Sequence, residues 1–278
     1  MKVTLCLLVV ILLLSLSSQS QTVDEHLSKE ELSQFAVVGG YNQPHNLGTT
    51  GSLYGYYLFT PESYQRSNEK YPLLIFLHGY GERGNSQINP SDLDKVLLHG
   101  PTKMIKNGTW LPTHEMIVAA PQCHGDWWER NSLKQFIEFL MKTYRVDESR
   151  IYLTGLSMGG YATFDLLGTF GIDSHIAAAV PICGSGVLSD FGTQNLATIP
   201  LWVFHGSADN VVSPDYSKAI VPAINALNPK VKAKLTIYPG VGHDSWSKTY
   251  DSSGMGKEDP AYDSFNQNIY DWLYQYTR

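Results

Sequence analysis

The sequence predicts a doubly wound α/β domain: a mostly parallel sheet with helices on both faces and no large lid. Three observations lead there. Short apolar runs recur along the chain, most of them lack polar alternation, and helical apolar spacing fills the stretches between them. A strand buried on both faces loses its alternation, and parallel sheets covered by helices bury strands in that way. The repeated order strand, helix, strand fixes the class.

The chain opens with Lys2, an uninterrupted apolar run from Leu5 to Leu14, and then Ser18 and Ser20 as small residues before a cleavage point. That is the pattern of a secretory signal peptide over 1–20, cut after Ser20, and the run is too short to span a bilayer. Cys6 precedes the run's end, so a lipoprotein anchor is not expected. Residues 21–50 form an N-terminal segment to which no element is assigned, and 51–278 form the α/β domain. The first strand is the aromatic-rich Leu53 to Thr60. Fully apolar strands follow at Leu73 to Leu77 and Met116 to Ala120, and further, mostly apolar ones at Ile151 to Thr154, Ala177 to Val180, Leu201 to Phe204 and Lys234 to Tyr238.

Between them, Leu133, Phe136, Ile137, Leu140 and Met141 keep helical spacing, with Asn131 or Ser132 as cap. Met158 to Leu167 follows a strand directly. Pro214 to Leu227 is a helix opened by Ser213, and Tyr262 to Tyr276 closes the chain as an amphipathic helix.

Composition narrows the function. The chain has 278 residues, 43% apolar and 17% charged, so it folds rather than staying disordered. A net charge of −6 gives a nucleic-acid partner no electrostatic support. After the signal peptide no apolar run reaches spanning length, so stable membrane insertion is not expected and the destination is secreted or periplasmic. Cys123 and Cys183 remain, without a Cys-x-x-Cys zinc pattern. Asn107-Gly-Thr109 is a glycosylation sequon.

The chemical signal is Gly155-Leu-Ser157-Met-Gly159-Gly160 at a strand–helix junction. Gly-x-Ser-x-Gly in that setting is a nucleophile elbow: a strained turn lifts the hydroxyl above the sheet, and a Cβ at either flanking glycine collides with a neighbour. The helix aims its N-terminus at developing negative charge. A serine hydroxyl needs a base oriented by an acid, met in the chain order Ser, Asp or Glu, His. Downstream histidines are His175, His205 and His243. His175 precedes a strand, at the wrong edge; His205 precedes the acid. His243 follows the last strand, at the edge where such sheets bind ligands.

Asp209 is the expected acid, on the loop beyond Phe204. Asp190 precedes that strand and Asp215 lies in the next helix. The oxyanion hole is expected from the backbone N–H groups of Met158 and Tyr80, with His78 structural.

These motifs, with Leu77-His-Gly-Tyr-Gly-Glu-Arg-Gly84, Ala120-Pro-Gln-Cys123, His205-Gly-Ser-Ala-Asp209 and Gly242-His-Asp-Ser-Trp246, resemble the α/β-hydrolases. They are similar to secreted serine esterases related to dienelactone hydrolase, feruloyl esterases and polyhydroxybutyrate depolymerases, some of whose relatives are labelled peptidases. The resemblance runs from Leu53 to the C-terminus. It implies Ser157 as nucleophile, Asp209 as acid and His243 as base, with serine where dienelactone hydrolase has cysteine. It also implies a strand order that puts two strands between those carrying Cys123 and Cys183. Three inter-strand steps span about 14 Å, beyond the ~7 Å a disulfide tolerates, so free buried thiols are expected.

The stretch 184–200 is too short for a cap domain, which leaves an open cleft suited to a bulky or polymeric substrate. Trp127, Trp128 and Trp246 lie near it and are the candidate substrate-binding residues, able to stack on sugar rings or an aromatic acyl group. The leading expectation is hydrolysis of acetyl or feruloyl esters on polysaccharide, with no metal or organic cofactor. The same residues would serve a peptidase, or a general carboxylesterase or phospholipase. A non-catalytic carbohydrate-binding protein has no need of the three polar residues together.

Overall fold

A computed structural model describes residues 28–110, 112–186 and 190–278, and the expected signal peptide lies outside them. Nine strands form one sheet among these residues: β1 (Ala36–Val37), β2 (Gly40–His45), β3 (Gly55–Pro61), β4 (Tyr71–Leu77), β5 (Ile117–Gln122), β6 (Val146–Leu156), β7 (Ala178–Ile182), β8 (Trp202–Gly206) and β9 (Lys234–Tyr238). Their spatial order is β1-β2-β3-β5-β4-β6-β7-β8-β9. Strands β1 to β3 and the β3–β5 pair are antiparallel. From β5 to β9 every neighbouring pair is parallel.

The continuous apolar runs have the predicted cause. In β4, Leu73, Ile75 and Leu77 enter one core while Leu74 and Phe76 enter the other. The first core packs α3 (Arg130–Thr143), α4 (Met158–Phe170) and α6 (Asp215–Ala226); α5 (Asp190–Leu196) adds Leu196 to it. The second core takes α2 (Gly100–Lys106), α7 (Trp246–Tyr250) and α8 (Ile269–Tyr274). Helices on both faces make the sheet doubly wound. The β7–β8 connection holds only α5 as a helix among its described residues, so no cap domain stands there.

Four local expectations are corrected. Residues 21–50 contain the short α1 (Lys29–Ser33) and two strands, and β2 pairs with β3 along its length. Its polar residues and only partial burial, with Pro44 exposed, kept it from reading as an apolar run. Helix α3 is capped by Glu129, not Asn131 or Ser132: its carboxylate accepts both of their backbone N–H groups, at 3.0 and 2.7 Å. Helix α6 begins at Asp215, with Pro214 as its N-cap residue, although Ser213 Oγ still accepts the Asp215 N–H at 3.3 Å. The closing helix covers only Ile269–Tyr274, capped by Asn268. Upstream, the Asp259 and Asp263 N–H groups donate to Ile237 and Leu235 carbonyls of β9, so that stretch runs along the sheet edge instead of coiling.

Candidate active site

The sharpest local feature is the turn between β6 and α4. Ser157 sits at φ 51°, ψ −116°, a conformation L-residues avoid. Its N–H donates to Ile182 O of β7 at 2.9 Å, which ties the turn to the sheet. The flanking glycines are enforced by backbone: a Cβ on Gly155 would stand 2.3 Å from Gly159 O, and one on Gly159 only 2.0 Å from Leu77 O. The helix can therefore start hard against β4, with Ser157 at its N-terminus.

Three side chains from three loops meet at this turn. His243 Nε2 is 2.9 Å from Ser157 Oγ, and His243 Nδ1 is 2.7 Å from Asp209 Oδ2. Asp209 Oδ1 accepts the backbone N–H groups of Val211 and Val212 at 2.9 and 3.0 Å. The Asp209 side chain is fully buried, while His243 keeps a fifth of its side chain exposed. Burial pushes the Asp209 pKa up, but the hydrogen bonds from His243, Val212 and Val211 outweigh it and leave the pKa below its ordinary value. A carboxylate that stays ionised orients His243 through Nδ1–H, leaving Nε2 free to accept a proton from Ser157.

His205 also reaches the acid: its Nε2 lies 3.2 Å from Asp209 Oδ2. The sequence reading set it aside as a base, and nothing in its spacing marks it as a neighbour of the carboxylate. His175 lies before β7, near Glu138 and Arg278. Asp215 opens α6 and pairs with Lys218.

Met158 begins α4, and Tyr80 begins a single 3₁₀ turn over Tyr80–Glu82. The opening N–H groups of a helix have no acceptor within it, which suits both for the oxyanion role expected of them. Glu82 governs the second loop: its carboxylate, largely buried, accepts the Gly79 N–H at 2.9 Å and stands 3.6 Å from His99 Nε2. Gln122 Nε2 donates to Glu82 O at 3.0 Å. Arg83 stacks its guanidinium 3.4 Å from the Tyr80 ring centroid, donates to Tyr80 O and reaches Asp126 O at 3.1 Å. Both residues stand in the quoted Gly79–Gly84 run, but without a partner in sequence neither could be given a role.

His78 is structural, as expected. Its Nδ1–H donates to Gly79 O at 2.6 Å and its Nε2 accepts the Cys123 N–H at 2.9 Å. The tryptophans divide. Trp127 is 52% exposed. Trp128, expected to face substrate, is instead buried: its indole N–H donates to His78 O and its ring packs on His78 and Tyr54. It supports the loop from behind. Trp246 is half-buried and stands edge-on to His243, ring centroids 5.2 Å apart.

Cys123 and Cys183 are free and buried. Cys183, Asp209 and His243 have potential ligand atoms within 4.8 Å of one another. Two of these groups already satisfy each other, and burial pushes the Cys183 thiol pKa well up, which disfavours the thiolate a metal would need.

The sequence profile of the phospholipase/carboxylesterase family matches residues 61–252. A bifunctional acetylxylan esterase/xylanase of Neocallimastix patriciarum is 27% identical over 144 residues, covering 51% of this chain and 20% of that protein. A thermostable esterase of known structure superposes with TM-score 0.63 at 29% identity, over 87% of this chain and 64% of its own. A truncated carbohydrate esterase from gut microbiota superposes with TM-score 0.55 at 15% identity, over 86% of this chain and 96% of its own, a likeness of fold. The chain thus spans a fifth of the length of the first protein and just under two thirds of the second.

Proposed function

The chain belongs to the phospholipase/carboxylesterase family of α/β-hydrolases, and from that premise we propose that it is a secreted serine esterase removing acetyl or feruloyl groups from polysaccharide. The observation that carries the chemistry is the hydrogen-bonded succession from Asp209 through His243 to Ser157. The acetylxylan esterase relative, the exposed Trp127 and the signal-peptide pattern at 1–20 support the substrate and the destination.

Ser157 Oγ attacks the ester carbonyl carbon while its proton passes to His243 Nε2. Asp209 holds the resulting imidazolium. The Tyr80 and Met158 amides stabilise the tetrahedral oxyanion, the largest single contribution in such sites. Collapse breaks the ester C–O bond, and the departing sugar hydroxyl takes the proton from His243. Water then attacks the acyl-enzyme, giving its proton to His243. The second tetrahedral species releases the acid and returns that proton to Ser157.

The test incubates wild type and Ser157→Ala with acetylated and with feruloylated xylan and quantifies the free acids. Release by wild type alone is expected. Equal release by the variant removes Ser157 from the mechanism. No release from either polymer, with 4-nitrophenyl acetate still cleaved, leaves the esterase and discards the polysaccharide.

A further inference from the structure

A groove of about 580 Å³ runs beside α4, lined among others by Trp127, Arg130, Tyr161, Asp165, Thr169 and Ser185. Its lining does not include Ser157 but begins one helical turn beyond it. Tyr161 lies one turn along α4, and its N–H donates to Ser157 O at 3.0 Å. At 1.5 Å rise per residue, the floor from Tyr161 to Thr169 extends about 12 Å. That length accepts a short oligomer and exceeds what a small acyl group needs.

The lining selects the ligand. Trp127 leaves about half of its surface in water and meets Tyr161 edge-on at 5.7 Å, forgoing the burial such a ring ordinarily finds. In the same lining, Arg130 Nη1 holds Asp165 Oδ1 at 2.7 Å, each side chain 47% exposed. A pair that exposed adds little stability, about 0–1 kcal/mol. It does present N–H donors and carboxylate acceptors with no net charge. An aromatic ring beside a neutral donor–acceptor array fits a polyhydroxylated, uncharged ligand. It offers an anionic or cationic chain no excess charge.

We propose that this groove binds the carbohydrate chain that carries the ester: a neutral oligosaccharide resting on Trp127 and hydrogen-bonded by Arg130 and Asp165, with its acyl group directed to Ser157. Only that last clause rests on the esterase reading.

The test is calorimetric titration with unesterified xylotetraose, which needs no turnover. Wild type is expected to bind. Trp127→Ala should weaken binding severalfold to about tenfold by removing one stacking surface. Thr169→Arg should do the same by filling the floor, and Asp165→Ala should weaken it severalfold. Thermal unfolding of each variant checks that it folds. No binding by wild type, or unchanged binding in both Trp127→Ala and Thr169→Arg, overturns the proposal. So does tighter binding of an acidic oligogalacturonide than of xylotetraose. Wild-type turnover of 4-nitrophenyl acetate is measured beside it. Its absence would sink the esterase reading while leaving the binding result standing.

Discussion

His205 Nε2 lies 3.2 Å from Asp209 Oδ2, the same oxygen that pairs with His243 Nδ1 at 2.7 Å. That nitrogen also faces Val212 O at 2.9 Å, while His205 Nδ1 faces Ser217 Oγ at 2.8 Å. Two acceptors at Nε2 assign the proton there, and Ser217 then donates to Nδ1. Burial lowers the His205 pKa and keeps the ring neutral. The carboxylate is thus held by two backbone N–H groups and the His243 N–H, with the His205 N–H shared between Val212 O and the carboxylate edge. His205 is a positioning residue. His205→Phe fills the space without a donor and should lower kcat about 10- to 100-fold, the value of a hydrogen bond to a charged group. KM should change little. His205→Gln, which keeps a donor near Nε2, should recover much of the loss. Equal kcat in both variants would make His205 packing only.

Helix and strand identities around Ser157 were legible because each follows from one chain segment: a mostly apolar run and a glycine pair. Chain order identified Asp209 and His243 as candidates and rejected His205, yet all three side chains touch. Contact between separate loops depends on rotamers that spacing does not encode. Trp128 was misread for the same reason. Its neighbour Trp127 is open to water, while the His78 carbonyl and the rings of His78 and Tyr54 hold Trp128 inward. Strand β2 was missed because this partly buried strand, one in from the sheet edge, carries Asn42, Gln43 and Pro44 in place of an apolar run.

The turn at Ser157 should tolerate no side chain at Gly159. A Cβ there meets Leu77 O at 2.0 Å and His78 O at 2.8 Å, both backbone atoms. Neither moves without displacing the end of β4. Gly159→Ala should lose about 3 kcal/mol or more of stability by urea denaturation. Gly81→Ala, in the neighbouring loop, meets nothing within 4 Å and should stay within about 0.5 kcal/mol of wild type. Similar midpoints for the two variants would show that the turn relaxes.

Glu82 should act on turnover through Gly79. Without its carboxylate, the Gly79 N–H loses its 2.9 Å acceptor and the turn that presents the Tyr80 amide loses its anchor. Removing an oxyanion donor outright lowers kcat about 100- to 1000-fold, so displacing one should lower it about tenfold or more. Glu82→Ala should show this in kcat with 4-nitrophenyl acetate. Glu82→Gln keeps a carbonyl acceptor and should lose less. An unchanged kcat in Glu82→Ala would remove the loop from transition-state binding.

Acid should destabilise the fold through His78 before it reaches the carboxylates. Burial pushes the His78 pKa down to about 4, and only the neutral ring can donate to Gly79 O while accepting from Cys123. The unfolded chain takes up this proton near the ordinary value of about 6.5. The group's full contribution is therefore present above about pH 6.5 and is lost as pH falls toward 4, at about 1.4 kcal/mol per pH unit. His45, also pushed down to about 4 by burial, adds a second proton over the same window. Urea midpoints measured across it should fall steeply for wild type. His78→Gln has no such proton to take up, so it should be less stable at pH 7 but lose stability less steeply below 6.5. Parallel curves for the two proteins would mean that His78 is already protonated in the folded state.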